Sequence, residues 1–229
     1  MPFYHGQLLS VSFAETKRYA GLRQKESFPD HLIEEACMEA QILSVPKGIY
    51  EVFDYESHSD YGLITAPSPL SLTGKSITNH LAQSTKVALL AVTIGEAIEE
   101  EVRSLFAKGR YTAGLLLDAA ATTAVESIAD QINEEIKRVA SRSGFQTTWR
   151  FSPGYGDWPV TIQQKLLDTL DTKKINLQAT ESSMLMPRKS VTAVIGFFPH
   201  TDCSTIKAKT ERGCQHCSNT SCIARKETN

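Results

Sequence analysis

A long stretch of helical periodicity in the middle of the chain constrains the fold most. Apolar side chains in residues 113–141 recur every three or four positions, the spacing of one face of an α-helix. These positions are Val125, Ile128, Ile132, Ile136 and Val139. Alanines in the first half of the stretch allow another element to approach closely, and Gly144 suits a left-handed cap at its end. The pattern therefore predicts one long helix that packs on a sheet.

Shorter segments on either side have the composition of strands. Residues 87–93 form a continuous Val, Leu and Ala run, which is typical of a strand buried on both faces. Other segments alternate or are rich in β-formers, and these are 48–55, 61–66, 147–151, 179–185 and 191–198. We expect a single α+β domain over residues 1–200, with a largely antiparallel sheet flanked by helices. Residues 201–229 are expected to form a small Cys-rich appendage.

Composition and charge exclude several classes of function. The 229 residues are 41% hydrophobic and 22% charged, as in an ordinary soluble globular protein. A formal net charge of −2 offers no basic field to nucleic acid or to an anionic membrane surface. No apolar run is long enough to cross a bilayer, and the first residues lack the pattern of a signal peptide. We expect a cytoplasmic protein that binds neither nucleic acid nor membrane.

Residues 150–159, Arg-Phe-Ser-Pro-Gly-Tyr-Gly-Asp-Trp-Pro, are the strongest candidate for a binding site. Pro153 and Gly154 predict a type II turn, because Pro presets φ at the first central position and Gly accepts a positive φ at the second. A strand precedes the turn, and Pro159 suits the start of a following helix. Such a junction would present Arg150, Tyr155 and Trp158 to an anionic, partly planar ligand. The alternative is a tight turn whose aromatic residues belong to the core.

Three segments of the chain resemble one known family. Arg150, Gly154 and Tyr155 are similar to the Arg-x-x-x-Gly-Tyr motif of the activation domain of cobalamin-dependent methionine synthase. Residues 185–190 and the strand after them resemble its Met-x-Pro-x-x-Ser stretch, and residues 117–139 resemble its long helix. Together the three segments cover most of residues 76–198, and free-standing versions of the domain are the most similar.

The resemblance implies a binding site for S-adenosylmethionine. Arg150 would hold the carboxylate of the ligand and Glu126 its amino or ribose groups, with Ser152 and Gly154 in the binding turn. Tyr155 would face the methyl group and is the candidate catalytic residue. The family also uses an Asp near the start of the domain, for which Asp54 and Asp60 are the candidates.

The resemblance also implies a role in a larger system. The chain would support reductive methylation of inactive cob(II)alamin held on a corrinoid-binding methyltransferase or on methionine synthase modules. It contains no Asp-x-His-x-x-Gly cobalt-ligand motif, so the cobalamin is expected on a partner. A flavodoxin or ferredoxin-type protein would donate the electron. The alternative is a non-catalytic adaptor of the same fold that does not bind S-adenosylmethionine and docks on a corrinoid protein through a zinc-stabilised tail.

Four cysteines near the end have the spacing of a metal site. Cys203, Cys214, Cys217 and Cys222 follow the pattern C-x10-C-x2-C-x4-C among polar and cationic residues. Four thiolates can hold a tetrahedral zinc or a [4Fe–4S] cluster, and the spacing does not separate the two. The implied role favours the cluster, because reactivation requires an electron and zinc has no redox chemistry.

Overall fold

All strand pairings in the described part of the chain are antiparallel. The computed structural model describes residues 3–4, 7–22 and 27–199. Its strands, in chain order, are β1 (Phe3–Tyr4), β2 (Lys47–Ser57), β3 (Tyr61–Thr65), β4 (Leu70–Thr73), β5 (Lys86–Thr93), β6 (Phe145–Thr147), β7 (Gln178–Ala179), β8 (Leu185–Met186) and β9 (Ser190–Pro199). The main sheet runs in the order β4-β3-β2-β5-β9-β6, and β1 pairs with the start of β2. The predicted α+β domain with a largely antiparallel sheet is confirmed.

Six α-helices flank the sheet within these described residues. They are α1 (Phe13–Tyr19), α2 (Asp30–Leu43), α3 (Lys75–Leu81), α4 (Ala97–Ala107), α5 (Tyr111–Arg142) and α6 (Gln163–Thr169). Helix α5 is the long helix predicted over 113–141, and Gly144 just beyond it has a positive φ of 78°. Periodicity over so many turns leaves little ambiguity, which is why this element is the best predicted.

Strand β5 shows why the sheet is covered on both faces. Side chains alternate across a strand, and every residue from Val87 to Val92 is at most 1% exposed. Ala88, Leu90 and Val92 pack into one apolar cluster, whereas Val87, Leu89 and Ala91 pack into another. The two clusters lie on opposite faces of the sheet, so the domain has three layers.

The first face carries α1, α2, α4 and α5. Helix α5 supplies much of that cluster and contacts the other three helices. The second face carries α3, α6 and the segment that follows β6. Trp158 from that segment is 1% exposed, so the segment is fixed to the core by a large buried ring. The candidate site lies where this segment faces α5.

Two strand predictions were wrong in detail. Residues 147–151 do not form one regular strand. Strand β6 ends at Thr147, and after the hydrogen bond from the N–H of Thr148 to the carbonyl of Gly196 the next pairing with β9 is at Phe151. Residues 179–185 do not form a single strand either. They are the turn and part of the two strands of a small hairpin, in which β7 pairs with β8. Ser183 has a positive φ of 63° within that turn.

The predicted metal-binding tail lies outside the described residues. Cys203, Cys214, Cys217 and Cys222 all lie in residues 200–229, so the predicted metal-binding tail stays a prediction. Among the described helices, none combines the length and the apolar character that crossing a bilayer requires. Cys37 on α2 is buried, and its thiol lies 3.4 Å from the hydroxyl of Thr16.

Candidate functional site

An irregularity beside β6 directs Arg150 toward α5. Thr147 pairs with Phe197 and Phe151 with Val194, so four residue steps on this segment match three on β9. One extra residue in a strand is a β-bulge, and it turns the following side chains to the opposite faces. Phe145 accordingly packs in the first-face cluster and Phe151 in the second. Arg150, next to Phe151, therefore points to the α5 side.

The predicted turn follows immediately. The N–H of Tyr155 donates to the carbonyl of Ser152 at 3.1 Å, and Gly154 has a φ of 92°, as the third residue of a type II turn requires. The N–H of Gly154 donates to the carbonyl of Trp158 at 2.8 Å, which closes the loop. The expectation that Trp158 offers a ligand surface was wrong, because its ring is buried in the core. Tyr155 is 49% exposed, so its ring remains accessible.

Asp157 fixes the turn to the sheet's second face. Its carboxylate accepts hydrogen bonds from the N–H groups of Lys75 and Ser76, each at 2.8 Å. These are unpaired donors at the start of α3, so Asp157 caps a helix distant in sequence. Hydrogen bonds from Ser76 and then Lys75 hold the pKa of Asp157 below its ordinary value.

The lowered pKa makes the cap dependent on pH. A group whose pKa is lowered by folding stabilises the fold above its unfolded pKa, and that contribution disappears as pH falls through the folded pKa. We expect Asp157→Ala to lower the urea midpoint at neutral pH. The difference from the unmodified protein should shrink below the ordinary aspartate pKa of 3.8. Asp60→Ala, in the exposed turn between β2 and β3, is the control. A difference that grows on acidification would contradict the capping role.

Arg150 forms an ion-paired network with two carboxylates of α5. Its Nη2 lies 3.1 Å from Oε2 of Glu126 and 2.7 Å from Oδ1 of Asp130. The side chain of Arg150 is 18% exposed, against 36% for Glu126 and 69% for Asp130. Glu126 and Asp130 are four residues apart, so they share one face of the helix. Both contacts use the same nitrogen, and Nε and Nη1 of Arg150 have no hydrogen bond to the described residues.

A cavity of about 800 Å³ opens between α5 and the 145–155 segment. Arg150, Glu126 and Asp130 lie in its wall together with Ser152 and Tyr155. A second cavity, of about 640 Å³, lies on the other side of Glu126 and Asp130 and extends to Glu15 and Tyr19 on α1. Volumes of this size accommodate a ligand as large as a nucleoside derivative.

Aromatic rings form one end of the site. Trp149 stacks against Tyr155 with ring centroids 6.2 Å apart and an interplanar angle of 29°. Phe151 meets Tyr155 edge-on at 5.6 Å, and His80 lies 4.6 Å from the Trp149 ring. Burial first, and then the charge of Glu126, raises the pKa of the Tyr155 phenol, so this hydroxyl stays protonated and can donate.

Four of the predicted binding residues line the first cavity: Glu126, Arg150, Ser152 and Tyr155. Gly154 shapes the turn that carries two of them. Neither Asp54 nor Asp60 lies in the walls of the two cavities, and Asp54 is instead paired with Lys86. Sequence reasoning missed Asp130 and Asp157. The position of Asp130 one helical turn after Glu126 was a usable signal, whereas nothing local indicates the long-range cap made by Asp157.

The 185–190 segment has a positioning role. The ammonium of Lys189 lies 2.8 Å from the Asp118 carboxylate and donates to the Thr122 hydroxyl at 2.9 Å, which joins the start of β9 to α5. Its N–H donates to Glu99 of α4 at 3.0 Å. Val191, the next residue but one, lies in the cavity wall. The segment thus holds β9 and α5 on either side of the cavity.

Comparison with known proteins identifies the fold. No protein-family model matches the chain, and no curated protein does. Among solved structures it matches the crystal structure of the MetH reactivation domain bound to AdoHcy, with a TM-score of 0.62 and 16% sequence identity. The match covers 85% of this chain and 79% of that one. The resemblance to the activation domain of methionine synthase is thereby confirmed for the architecture, and this chain has the fold of the MetH reactivation domain.

Proposed function

We propose that the chain is an S-adenosylmethionine-binding reactivation module for a corrinoid-dependent methyltransferase. One observation carries the proposal: the bulge and the type II turn bring Arg150 and Tyr155 into a cavity opposite Glu126. The fold is that of a domain crystallised with AdoHcy, the demethylated product of S-adenosylmethionine. The proposed site therefore has both the architecture and the groups that the ligand requires.

The residues fit an amino-acid zwitterion. The guanidinium of Arg150 keeps two nitrogens for a carboxylate, since its contacts to α5 use only Nη2. A planar fork suits bidentate binding of a carboxylate. Glu126 faces the same space and accepts hydrogen bonds from an ammonium or from ribose hydroxyls. The cavity is also large enough for the adenosyl part of the ligand.

Tyr155 is proposed to orient the reacting end. Half of its side chain is exposed at the mouth of the cavity, beyond Arg150 and next to the Trp149 ring. With a partner protein docked there, this ring would separate the sulfonium methyl from bulk water and align it with the acceptor. The reaction requires one electron from a donor protein for cob(II)alamin on the partner, followed by transfer of the methyl group with release of S-adenosylhomocysteine. The chain itself supplies binding and orientation.

The functional test is methyl transfer under anoxic reducing conditions. The protein would be mixed with cob(II)alamin, a low-potential reductant and S-adenosylmethionine labelled in its methyl group. We expect labelled methylcobalamin to form faster than without protein, and Tyr155→Ala to slow it while leaving ligand affinity nearly unchanged. Tyr61→Ala, an exposed tyrosine in the β2–β3 hairpin, is the control. Absence of S-adenosylmethionine binding would instead favour the adaptor alternative.

For residues 201–229 we propose one metal centre formed by Cys203, Cys214, Cys217 and Cys222, with an iron–sulfur cluster preferred to zinc. The support is the cysteine spacing and the need for an electron. Within the described residues, no cluster of three or more His, Cys, Asp or Glu side chains could hold a metal ion.

Metal analysis separates the two centres. Anoxically purified protein should contain about four irons and four sulfides per chain. Cys217→Ser should remove them, whereas Cys37→Ser, which changes a buried cysteine of α2, should leave them in place. Stoichiometric zinc without iron would contradict the cluster and support the zinc-stabilised tail.

A further inference from the structure

The carboxylates around Arg150 outnumber the cations that pair with them in the wall of the first cavity. One guanidinium faces two carboxylates, those of Glu126 and Asp130. The other cation in the cavity wall, Lys137, is paired with Glu134 at 2.7 Å, so that pair is neutral by itself. The candidate binding site therefore has one carboxylate in excess. An excess carboxylate favours a ligand with net positive charge.

The donor and its product differ by one charge. S-adenosylmethionine has a carboxylate, an ammonium and a sulfonium, whereas S-adenosylhomocysteine has lost the methyl group and with it the sulfonium charge. If the ligand carboxylate takes Arg150, the two carboxylates of α5 must share that cation and need further positive partners. The donor brings two positive groups and the product only one.

We infer that Asp130 is a specificity-determining residue, which makes the site bind the sulfonium donor more tightly than the neutral product. This inference rests on the proposed binding of S-adenosylmethionine. Glu126 is the less exposed of the two carboxylates, so we assign it to the ammonium. Asp130, at 69% exposure, lies at the rim and is the carboxylate that the second positive charge matches.

The charge difference favours replacement of the bound product by a new donor molecule. Transfer of the methyl group removes the charge that Asp130 attracts, so the product is held less tightly than the donor was. A charge pair separated by roughly 7 Å in a water-like dielectric changes affinity by about threefold. The effect is modest because Asp130 is exposed, and salt should weaken it.

The test compares two ligands on three proteins. Isothermal titration of S-adenosylmethionine and of S-adenosylhomocysteine gives a donor-to-product affinity ratio for each protein. Asp130→Asn should lower this ratio about threefold relative to the unmodified protein. Asp168→Asn is the matched control, because it makes the same change at an exposed carboxylate of α6 that lies outside both cavities. The ratio of this control should stay at the unmodified value.

Each outcome is decisive. An unmodified protein that binds both ligands, with the same ratio in Asp130→Asn, would overturn the inference and leave the proposed function standing. Equal losses in Asp130→Asn and Asp168→Asn would overturn it as well, because the effect would then be one of total charge. Binding of neither ligand to the unmodified protein would overturn the proposed function and this inference together.

Discussion

Replacing Arg150 by Ala should weaken binding of S-adenosylmethionine by about 2–4 kcal/mol, or roughly 30- to 700-fold. The substitution removes a charge-assisted bidentate contact to the ligand carboxylate. It also leaves Glu126 and Asp130 facing each other without the cation that pairs with both. Isothermal titration of the two proteins measures the difference directly.

Two further variants test whether the loss of affinity comes from the guanidinium of Arg150. Arg150→Lys keeps the charge but loses the planar fork, so its affinity should lie between those of the other two proteins. Arg103→Ala removes an exposed arginine of α4, outside both cavities, and should bind normally. Equal affinity in Arg150→Ala and the unmodified protein would show that the ligand does not use this turn.

Trp158→Ala should destabilise the domain by about 3–5 kcal/mol, the usual cost of deleting a large buried aromatic ring. Trp158 is 1% exposed, and its ring lies 5.9 Å from that of Phe151 below the turn. Its carbonyl accepts the hydrogen bond of Gly154, so a cavity here loosens the turn that follows Arg150. We therefore expect weaker ligand binding as well as a lower urea midpoint.

The size of the ring is what this prediction tests. Trp158→Phe keeps much of the buried volume and should cost less, while Val160→Ala changes an exposed neighbour and should fall within about 0.5 kcal/mol of the unmodified protein. A loss below about 1 kcal/mol in Trp158→Ala would mean that the surrounding side chains collapse onto the space, and that the turn does not depend on the ring.

The elements that the sequence predicts well are those with local signals. The periodicity of α5, the apolar run of β5 and the Pro153-Gly154 turn each depend on residues close together in the chain. The predicted set Glu126, Arg150, Ser152 and Tyr155 does meet at one cavity, but only family resemblance, and not periodicity, separated Glu126 from the other carboxylates of α5. From its spacing alone, Glu126 is a carboxylate beside the buried face of α5, like others on that helix.

The features that the sequence does not predict depend on contacts between residues that are far apart in the chain. The bulge at 148–150 exists only in relation to β9, and the cap made by Asp157 joins positions 81 and 82 residues apart. The burial of Trp158 follows from the second-face cluster, which no local pattern defines. The pattern of residues 179–185 predicts one strand where the structure has the hairpin of β7 and β8, because the turn of the hairpin has no Gly or Pro to mark it.

The position of the ligand methyl group shows whether the 150–158 turn is the binding site. S-adenosylmethionine labelled with ¹³C in that methyl would be bound to the protein, and nuclear Overhauser effects from the methyl to protein protons would be recorded. We expect one ligand per chain, with contacts from the methyl to the ring of Tyr155 that are lost in Tyr155→Ala. A bound methyl group that contacts only residues away from the 150–158 turn, or no bound ligand, would contradict this expectation.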